Sequence, residues 1–389
     1  MINIIDKSKC CGCGACACIC PQNCITIDSD NEGFDYPSVD VDNCINCGAC
    51  NKVCPYENIN KIDVNKEIYI GWSEDEEILK NSSSGGMFAT LANYFVENGG
   101  VVYGAGFDEK FNVCHKSAYS KSEIFDLQRS KYVQSRTNYI FKEIKKLVLN
   151  NDKVMFVGTP CQIRGLKNYL GELADRVLLV DFKCHGVPSP KLWEKYLKYI
   201  KEKTGGEDIE EVNFRNKDNG WHNYNLKIKF INNKVYNKNH YLDRYLVPFF
   251  DNRALRLSCY ECNFDNSFSD ITLADAWTVE KKHKELEEIT KKDKGLSLIG
   301  VNTDKGKEIF KEVLKRDFVA FQSHNMELNN PHKIELPSGR DDFFAILKGD
   351  HNTLFNKYCK VAFKTRIYLF IRWILKCTGL IALARKIKK

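Results

Sequence analysis

The chain has 389 residues, 43% of them hydrophobic and 12% aromatic, which is too long for one ordinary domain and too apolar for a disordered one. Its net charge of +7 is unevenly held: residues 351–389 carry ten Lys or Arg and no Asp or Glu, leaving 48 basic against 51 acidic groups elsewhere. A nearly neutral body with a basic tail excludes a nucleic-acid-binding surface spread over the fold. Residues 1–9 are short and polar, so no signal peptide is expected and a reducing cytoplasm is the expected compartment.

The first 54 residues write one pattern twice. Cys10-x2-Cys13-x2-Cys16-x3-Cys20-Pro21 is followed by Cys44-x2-Cys47-x2-Cys50-x3-Cys54-Pro55. In the bacterial two-cluster ferredoxin spacing, three closely placed thiolates wrap one iron–sulfur cube and the fourth reaches the other. One [4Fe–4S] cluster is therefore expected on Cys10, Cys13, Cys16 and Cys54, and a second on Cys44, Cys47, Cys50 and Cys20. The gaps hold Gly12, Gly14, Ala15, Gly48 and Ala49, small enough for the backbone to fold closely around a cluster. Zinc ribbons use CxxC pairs rather than four cysteines followed by Pro, and a disulfide scaffold does not explain a duplicated spacing. Cys11, Cys18 and Cys24 fall outside the pattern and read as filler; Cys114, Cys359 and Cys377 carry no signal. Between the halves, Ile25-Thr26-Ile27, the polar run Asp30-Asn31-Glu32-Gly33 and then Phe34, Tyr36 and Val39 predict a β-hairpin. Residues 1–56 thus form a ferredoxin-like domain, and residues 57–66 read as a linker.

A second domain is expected over residues 67–320. Ile68-Tyr69-Ile70-Gly71-Trp72 predicts a strand, and residues 87–97 a helix. Strand 101–107 and a basic amphipathic helix over 139–149 follow. Buried strands at 154–157 and 177–182 end at Gly158-Thr159-Pro160-Cys161 and Lys183-Cys184-His185-Gly186. Apolar strands alternating with helices predict an α/β domain with a mostly parallel sheet. Val212-Asn213-Phe214-Arg215 and residues 226–230 alternate instead, as an antiparallel β extension does. Residues 279–294 read as a charged, solvated stretch, 296–301 as a buried strand, and Thr303 as the cap of a helix running to Leu314. The glycine fingerprint of a dinucleotide fold is incomplete, because Gly104-x-Gly106 meets Glu109 where the third glycine belongs, and there is no Walker P-loop.

Cys161 and Cys184 each end a buried strand, where ligand sites of α/β sheets sit, and Cys259-x2-Cys262 has metal-ligand spacing. The four can supply a third [4Fe–4S] cluster; equally, Cys161 and Cys184 can be small buried hydrophobes. Ser82, Ser83, Ser84, Gly85 and Gly86 precede a helix and offer a phosphate cradle or an ordinary helix cap. Thr159 and Pro160 open the next helix, with Arg164 one turn along, able to pair with a phosphate or to lie on the surface. Two such sites in one domain suggest a dinucleotide.

Ser83-Ser84-Gly85-Gly86, Gly158-Thr159-Pro160-Cys161-Gln162, Lys183-Cys184-His185-Gly186, Cys259-Tyr260-Glu261-Cys262, and Gly295-Leu296-Ser297 through Asn302-Thr303 resemble the coenzyme F420 hydrogenase/dehydrogenase β-subunit family. The resemblance covers residues 1 to about 310. That family pairs iron–sulfur clusters with non-covalent FAD, and includes F420-reducing subunits and plastid chlorophyll-pathway reductases. The resemblance implies that Cys161, Cys184, Cys259 and Cys262 hold a cluster close to the flavin. His185 then either gives a proton to reduced flavin or substrate, or hydrogen-bonds to orient a neighbour. Trp277 either packs on a flavin or belongs to the core.

The tail, residues 330–389, is apolar with Lys364, Arg366, Arg372, Lys376 and Arg385 interspersed, which argues against a spanning helix and for a basic interfacial helix on an anionic membrane or a helix docked on a partner. The expected activity is a flavin-dependent iron–sulfur oxidoreductase, taking electrons from ferredoxin or a redox partner subunit and passing a hydride to an organic acceptor such as F420. The other expectation is an electron-transfer adaptor without a substrate site.

Overall fold

The structure is a computed structural model describing residues 1–4, 6–57, 67–264, 269–328 and 334–378. Apart from Glu57, the expected linker lies outside the described residues. The predicted hairpin forms from β1 (Ile25–Ser29) and β2 (Asp35–Val39), antiparallel, with Ile25 opposite Val39 and Ser29 opposite Asp35. Asp30 makes the turn, its carboxylate accepting the amides of Glu32 and Phe34. The short helices Ala15–Ile19 and Ala49–Lys52 start at Gly14 and Gly48, whose φ angles of +76° and +74° a side chain would resist. The sequence repeat is thus also a repeat of backbone conformation.

The remaining strands are β3 (Glu67–Ser73), β4 (Val101–Phe107), β5 (Val113–Ala118), β6 (Val154–Gly158), β7 (Val177–Phe182), β8 (Ile209–Asn216), β9 (Asn225–Phe230), β10 (Val235–Asn239), β11 (Ile271–Asp275), β12 (Ser297–Val301) and β13 (Phe318–Gln322). Eight of them make one sheet in the order β13-β3-β12-β11-β7-β6-β4-β5. The β4–β6, β6–β7 and β7–β11 pairs are parallel, and antiparallel strands flank this centre on both sides. The α/β expectation therefore takes the form of a mixed sheet with a parallel middle. The antiparallel extension is the separate sheet β10-β9-β8. Its strands bury Val212, Phe214, Leu226, Ile228 and Phe230.

The central strands are buried on both faces, and the pleat sorts their residues. Val101, Tyr103, Val154, Phe156, Val177 and Leu179 meet the helices Ile140–Leu149 and Pro160–Leu170 and part of the ferredoxin unit. Val102, Met155, Val157, Leu178 and Val180 meet the helices Met87–Glu97 and Asp304–Val313. A third cluster gathers around the helix Pro190–Thr204 and joins Phe34 and Tyr36 of the hairpin to Phe343, Phe344, Leu347, Leu354 and Phe355. Residues 340–361 are thus part of the core, rather than of a separate tail. The helix Phe363–Cys377 stands beyond it, with Phe363, Ile367, Phe370, Ile371 and Ile374 exposed. Among the described residues no helix is long and apolar enough to cross a membrane.

His115 on β5 is enclosed. Its Nε2 lies 3.0 Å from the Val157 carbonyl oxygen and its Nδ1 2.8 Å from Ser135 Oγ, an arrangement that suits the neutral ring. Burial pulls its pKa from the usual 6.5 to about 4. The unfolded chain therefore binds this proton more tightly. Stability from His115 is complete above pH 6.5 and is lost as pH falls toward 4, a contribution of about 3 kcal/mol. Denaturant unfolding at pH 7 and pH 4.5 should show a larger loss in wild type than in His115→Gln; equal losses would contradict this account.

Candidate functional site

Cys10, Cys13, Cys16 and Cys54 line one cavity, together with Gly12, Gly14, Ala15 and Tyr56. The last cysteine of the second half has joined three of the first, as the crossed spacing requires. Burial, then the neighbouring Cys10 and Cys54 sulfurs, push the Cys16 thiol up. Such crowding is costly for bare thiolates and is relieved by bound iron. In the other half, Cys20 and Cys44 are partly exposed, Cys47 is exposed and Cys50 is buried. The Ile2 amide donates to Cys50 Sγ at 3.1 Å. Cys24, read as filler, lies with its sulfur 3.4 Å from that of Cys20, and this contact pushes its thiol up to about 11.

Cys161 opens the helix after β6, Cys184 follows β7, and Cys259 and Cys262 lie on and just after the short helix Leu257–Tyr260. Burial, then the sulfurs of Cys259, Cys161 and Cys262, push the Cys184 thiol well up, so the four lie in one region of the fold. The Val187 amide donates to Cys259 Sγ at 3.4 Å. Among the described residues no three or more His, Cys, Asp or Glu side chains gather as a single ion would require.

The two sets meet across the seam between the ferredoxin unit and the sheet domain. Cys11, also read as filler, lies with its thiol beside those of Cys13 and Cys161. A Cβ on Gly165 would stand 2.7 Å from Cys13 Sγ, so the helix Pro160–Leu170 accepts this thiol only because it has a glycine there. Gln134 donates to the Cys11 carbonyl at 3.2 Å and Thr137 to that of Cys13 at 3.0 Å. Tyr56 reaches the Ser258 carbonyl at 3.4 Å and packs edge-on against Phe264, 5.2 Å away. Arg256 is fully buried beside Cys10. Cys11, Gly165, Gln134, Thr137, Tyr56 and Arg256 belong to no spacing motif, and of these only the cysteine identity of Cys11 offered a signal.

The parallel strands all end on one edge of the sheet, and the registers of β12 and β3 bring Ser297 and Gly71 to that same edge. Thr159 and the Ser82–Gly86 loop therefore share an edge, about four strand spacings or ~19 Å apart. The loop is well held. Ser297 Oγ accepts the Gly85 amide at 3.0 Å, and Ser83 Oγ accepts the Ser130 amide at 2.7 Å. Lys217 donates to the Leu79 and Ser84 carbonyls, and Arg129 to Asn81, so two cations flank the loop. At the other loop, Gln162 Oε1 accepts the amide and hydroxyl of Thr159, each at 3.1 Å, a closed helix cap. Arg164 is buried rather than on the surface. Between the loops, Trp277 stacks on Trp221 with centroids 4.4 Å apart, and the Arg215 guanidinium lies 4.9 Å from its ring. Trp277 is 38% exposed, so it is not simple core. His185 is exposed beside Cys184, its Nε2 2.8 Å from Asn252 Oδ1 and its ring edge-on to Phe249.

A ferredoxin-type unit docked on a mixed α/β sheet, with thiols gathered at their seam, defines an iron–sulfur redox protein. Family models agree: residues 9–58 match a 4Fe–4S dicluster domain, 68–142 the N-terminal part of the coenzyme F420 hydrogenase/dehydrogenase β subunit, and 151–327 its C-terminal part. The chain belongs to the coenzyme F420 hydrogenase/dehydrogenase β-subunit family. Comparison with curated proteins yields no match. Among solved structures, a chain of the F420-reducing [NiFe] hydrogenase complex from Methanosarcina barkeri, from a xenon-derivatization study, aligns at 16% identity and a TM-score of 0.46, covering 68% of this chain and 85% of that one.

A Cβ on Gly85 would run into the Gly71 carbonyl oxygen and stand 2.6 Å from the Ser297 amide nitrogen. The close approach that this glycine permits is to β3 and β12. Gly85→Val should therefore lower stability by about 1–3 kcal/mol in denaturant unfolding, as overpacking does. Unchanged stability would show that the loop can move off the sheet.

Proposed function

We propose that the chain is a flavin-dependent oxidoreductase that carries electrons inward across three iron–sulfur sites to a flavin at the sheet edge. The observation that carries this reading is the order of the thiols. Cys44 and Cys47 lie toward the surface, Cys16 and Cys54 are buried inside the ferredoxin unit, Cys13 is buried at the seam, and Cys161 and Cys184 follow parallel strands, with Cys259 and Cys262 on and after the nearby short helix. When bound, such clusters exchange single electrons, and FAD collects two and delivers a hydride. The protein's part is placement. The exposed second set meets a ferredoxin or redox partner subunit. The seam excludes water around the first set. Ser82–Gly86, with Lys217 and Arg129 beside it, is a donor-rich cradle for phosphate, and Thr159 to Arg164 marks the other end. Trp277 and Arg215 line the edge between, where a planar ring system would lie. His185, exposed and oriented by Asn252, is placed to hand a proton to an organic acceptor, F420-like or other.

The anaerobically reconstituted full chain should hold about twelve irons, four per cube, and about one FAD. Cys47→Ala and Cys184→Ala should each lose about four irons. Cys184→Ala should keep FAD yet stop transfer from reduced ferredoxin to a hydride acceptor. Zinc in place of iron would overturn the reading. A chain with all its iron and no flavin would instead be an electron-transfer adaptor.

We propose further that the helix Phe363–Cys377 rests on an anionic membrane surface. Phe363, Ile367, Phe370, Ile371 and Ile374 recur at helical spacing and are exposed, with Lys364 and Arg366 between them. The full chain should co-sediment with vesicles containing phosphatidylglycerol and not with pure phosphatidylcholine, and Ile367→Glu should weaken that binding. Equal behaviour on both vesicle types, or an unaffected variant, would contradict it.

A further inference from the structure

Arg256 caps the short helix Leu257–Tyr260, and its backbone is tied on both sides: its amide donates to the Val187 carbonyl and its carbonyl accepts the Cys259 amide. Its side chain reaches away from that helix into the ferredoxin unit. Nε donates to the Cys10 carbonyl at 2.7 Å, Nη1 to Gln134 Oε1 at 3.1 Å, and Nη2 to the Asp35 carbonyl at 2.8 Å. Nη2 also lies 3.5 Å from Cys10 Sγ. The rings of Tyr36 and Phe34 stand 4.2 and 5.5 Å from the guanidinium carbon.

Every oxygen in this shell is neutral. Among the described residues no Asp or Glu forms an ion pair with Arg256, and the Asp35 carboxylate faces Arg136 at 3.0 Å instead. Two other deeply buried arginines, Arg340 and Arg215, do have carboxylate partners. Arg340 is paired with Glu32 at 2.6 Å, and Arg215 with Asp275 at 2.6 Å. A buried charge without a counter-charge is costly, and hydrogen bonds to carbonyls offset only part of that cost. Among the described residues, the hydrogen-bond partner of its side chain that readily carries negative charge is the sulfur of Cys10, with the Cys11 and Cys259 thiols farther off.

We propose that the counter-charge of Arg256 is the anionic iron–sulfur cluster held by Cys10, Cys13, Cys16 and Cys54, and that Arg256 is the positioning residue that raises this cluster's reduction potential above that of its neighbour on Cys44, Cys47, Cys50 and Cys20. The inference rests on the cluster assignment made above. A fixed positive charge in a low-dielectric seam favours the reduced, more negative state. Among the described residues no arginine or lysine hydrogen-bonds the neighbouring set: the Ile2 amide meets Cys50, and the Cys24 thiol meets Cys20. An electron arriving at the exposed set would therefore run downhill to the seam. Because Cys259 follows three residues after Arg256, the same residue links the inner ferredoxin site to the thiols at the sheet edge.

The test is an EPR-monitored redox titration of the anaerobically reconstituted full chain, with iron counted first, for wild type, Arg256→Gln and Arg256→Lys. In Arg256→Gln one midpoint should move to more negative potential while the others hold, and Arg256→Lys should restore most of the shift. Arg256→Gln failing to take up iron while Arg256→Lys loads would equally support a required charge. Full loading of Arg256→Gln with all midpoints unchanged would overturn the proposal. So would equal failure of both variants to load, which would mark a shape-specific contact in place of a charge. Wild type without iron would instead sink the cluster assignment itself.

Discussion

The structure depends on one constraint: the loop Cys10–Cys16 is pressed into the seam between the ferredoxin unit and the sheet domain. Gly165 removes the side chain that would keep Cys13 away, Gln134 and Thr137 hold the carbonyls of Cys11 and Cys13, and Arg256 holds that of Cys10. Arg340 adds a buried ion pair with Glu32 of the hairpin turn and also reaches the Leu255 carbonyl, one residue before Arg256. The two domains are therefore not beads on a string. The inner thiols of one are part of the packing of the other, and the close approach of thiol sets that electron transfer needs follows from ordinary core formation.

That packing explains why the sheet is arranged as it is. Parallel strands deliver their ends to a single edge, and two of those ends carry Cys161 and Cys184. The antiparallel return of β12 and β3 carries Ser297 and the Gly85 loop to the same edge. One edge thus has thiols at one end and a cation-flanked, donor-rich loop at the other, with Trp277 and Arg215 between. Placement of this kind asks nothing unusual of any single residue; it follows from strand order.

Much of this was legible in the sequence because the signals were local. The duplicated cysteine spacing groups Cys54 with Cys10, Cys13 and Cys16, which line one cavity, and the largely apolar runs at 101–107, 154–157 and 177–182 marked the buried strands. Strand ends were marked by Gly158-Thr159-Pro160 and Lys183-Cys184. Edge strands were harder. Val113-Cys114-His115-Lys116-Ser117-Ala118 has mixed polarity, because β5 is covered on fewer sides, and β13 is a short edge strand. The helix Pro190–Thr204 was missed despite a readable start and stop, Ser189-Pro190 and Gly205. Arg256, Gln134, Gly165 and Tyr56 act across more than a hundred residues of sequence, so no spacing could reveal them. Residues 340–361 look like tail in sequence because their apolar positions have meaning only against the helix Pro190–Thr204 and the hairpin.

The central claim is that the inner ferredoxin site and the sheet-edge site are neighbours across the seam. Fully reducing the reconstituted full chain and recording its EPR spectrum tests this directly, since paramagnetic clusters close together broaden and split one another's signals. Wild type should show such coupling, and Cys184→Ala should remove part of it while leaving the interaction within the ferredoxin unit. Uncoupled signals in wild type, or a spectrum that Cys184→Ala does not change, would contradict the account.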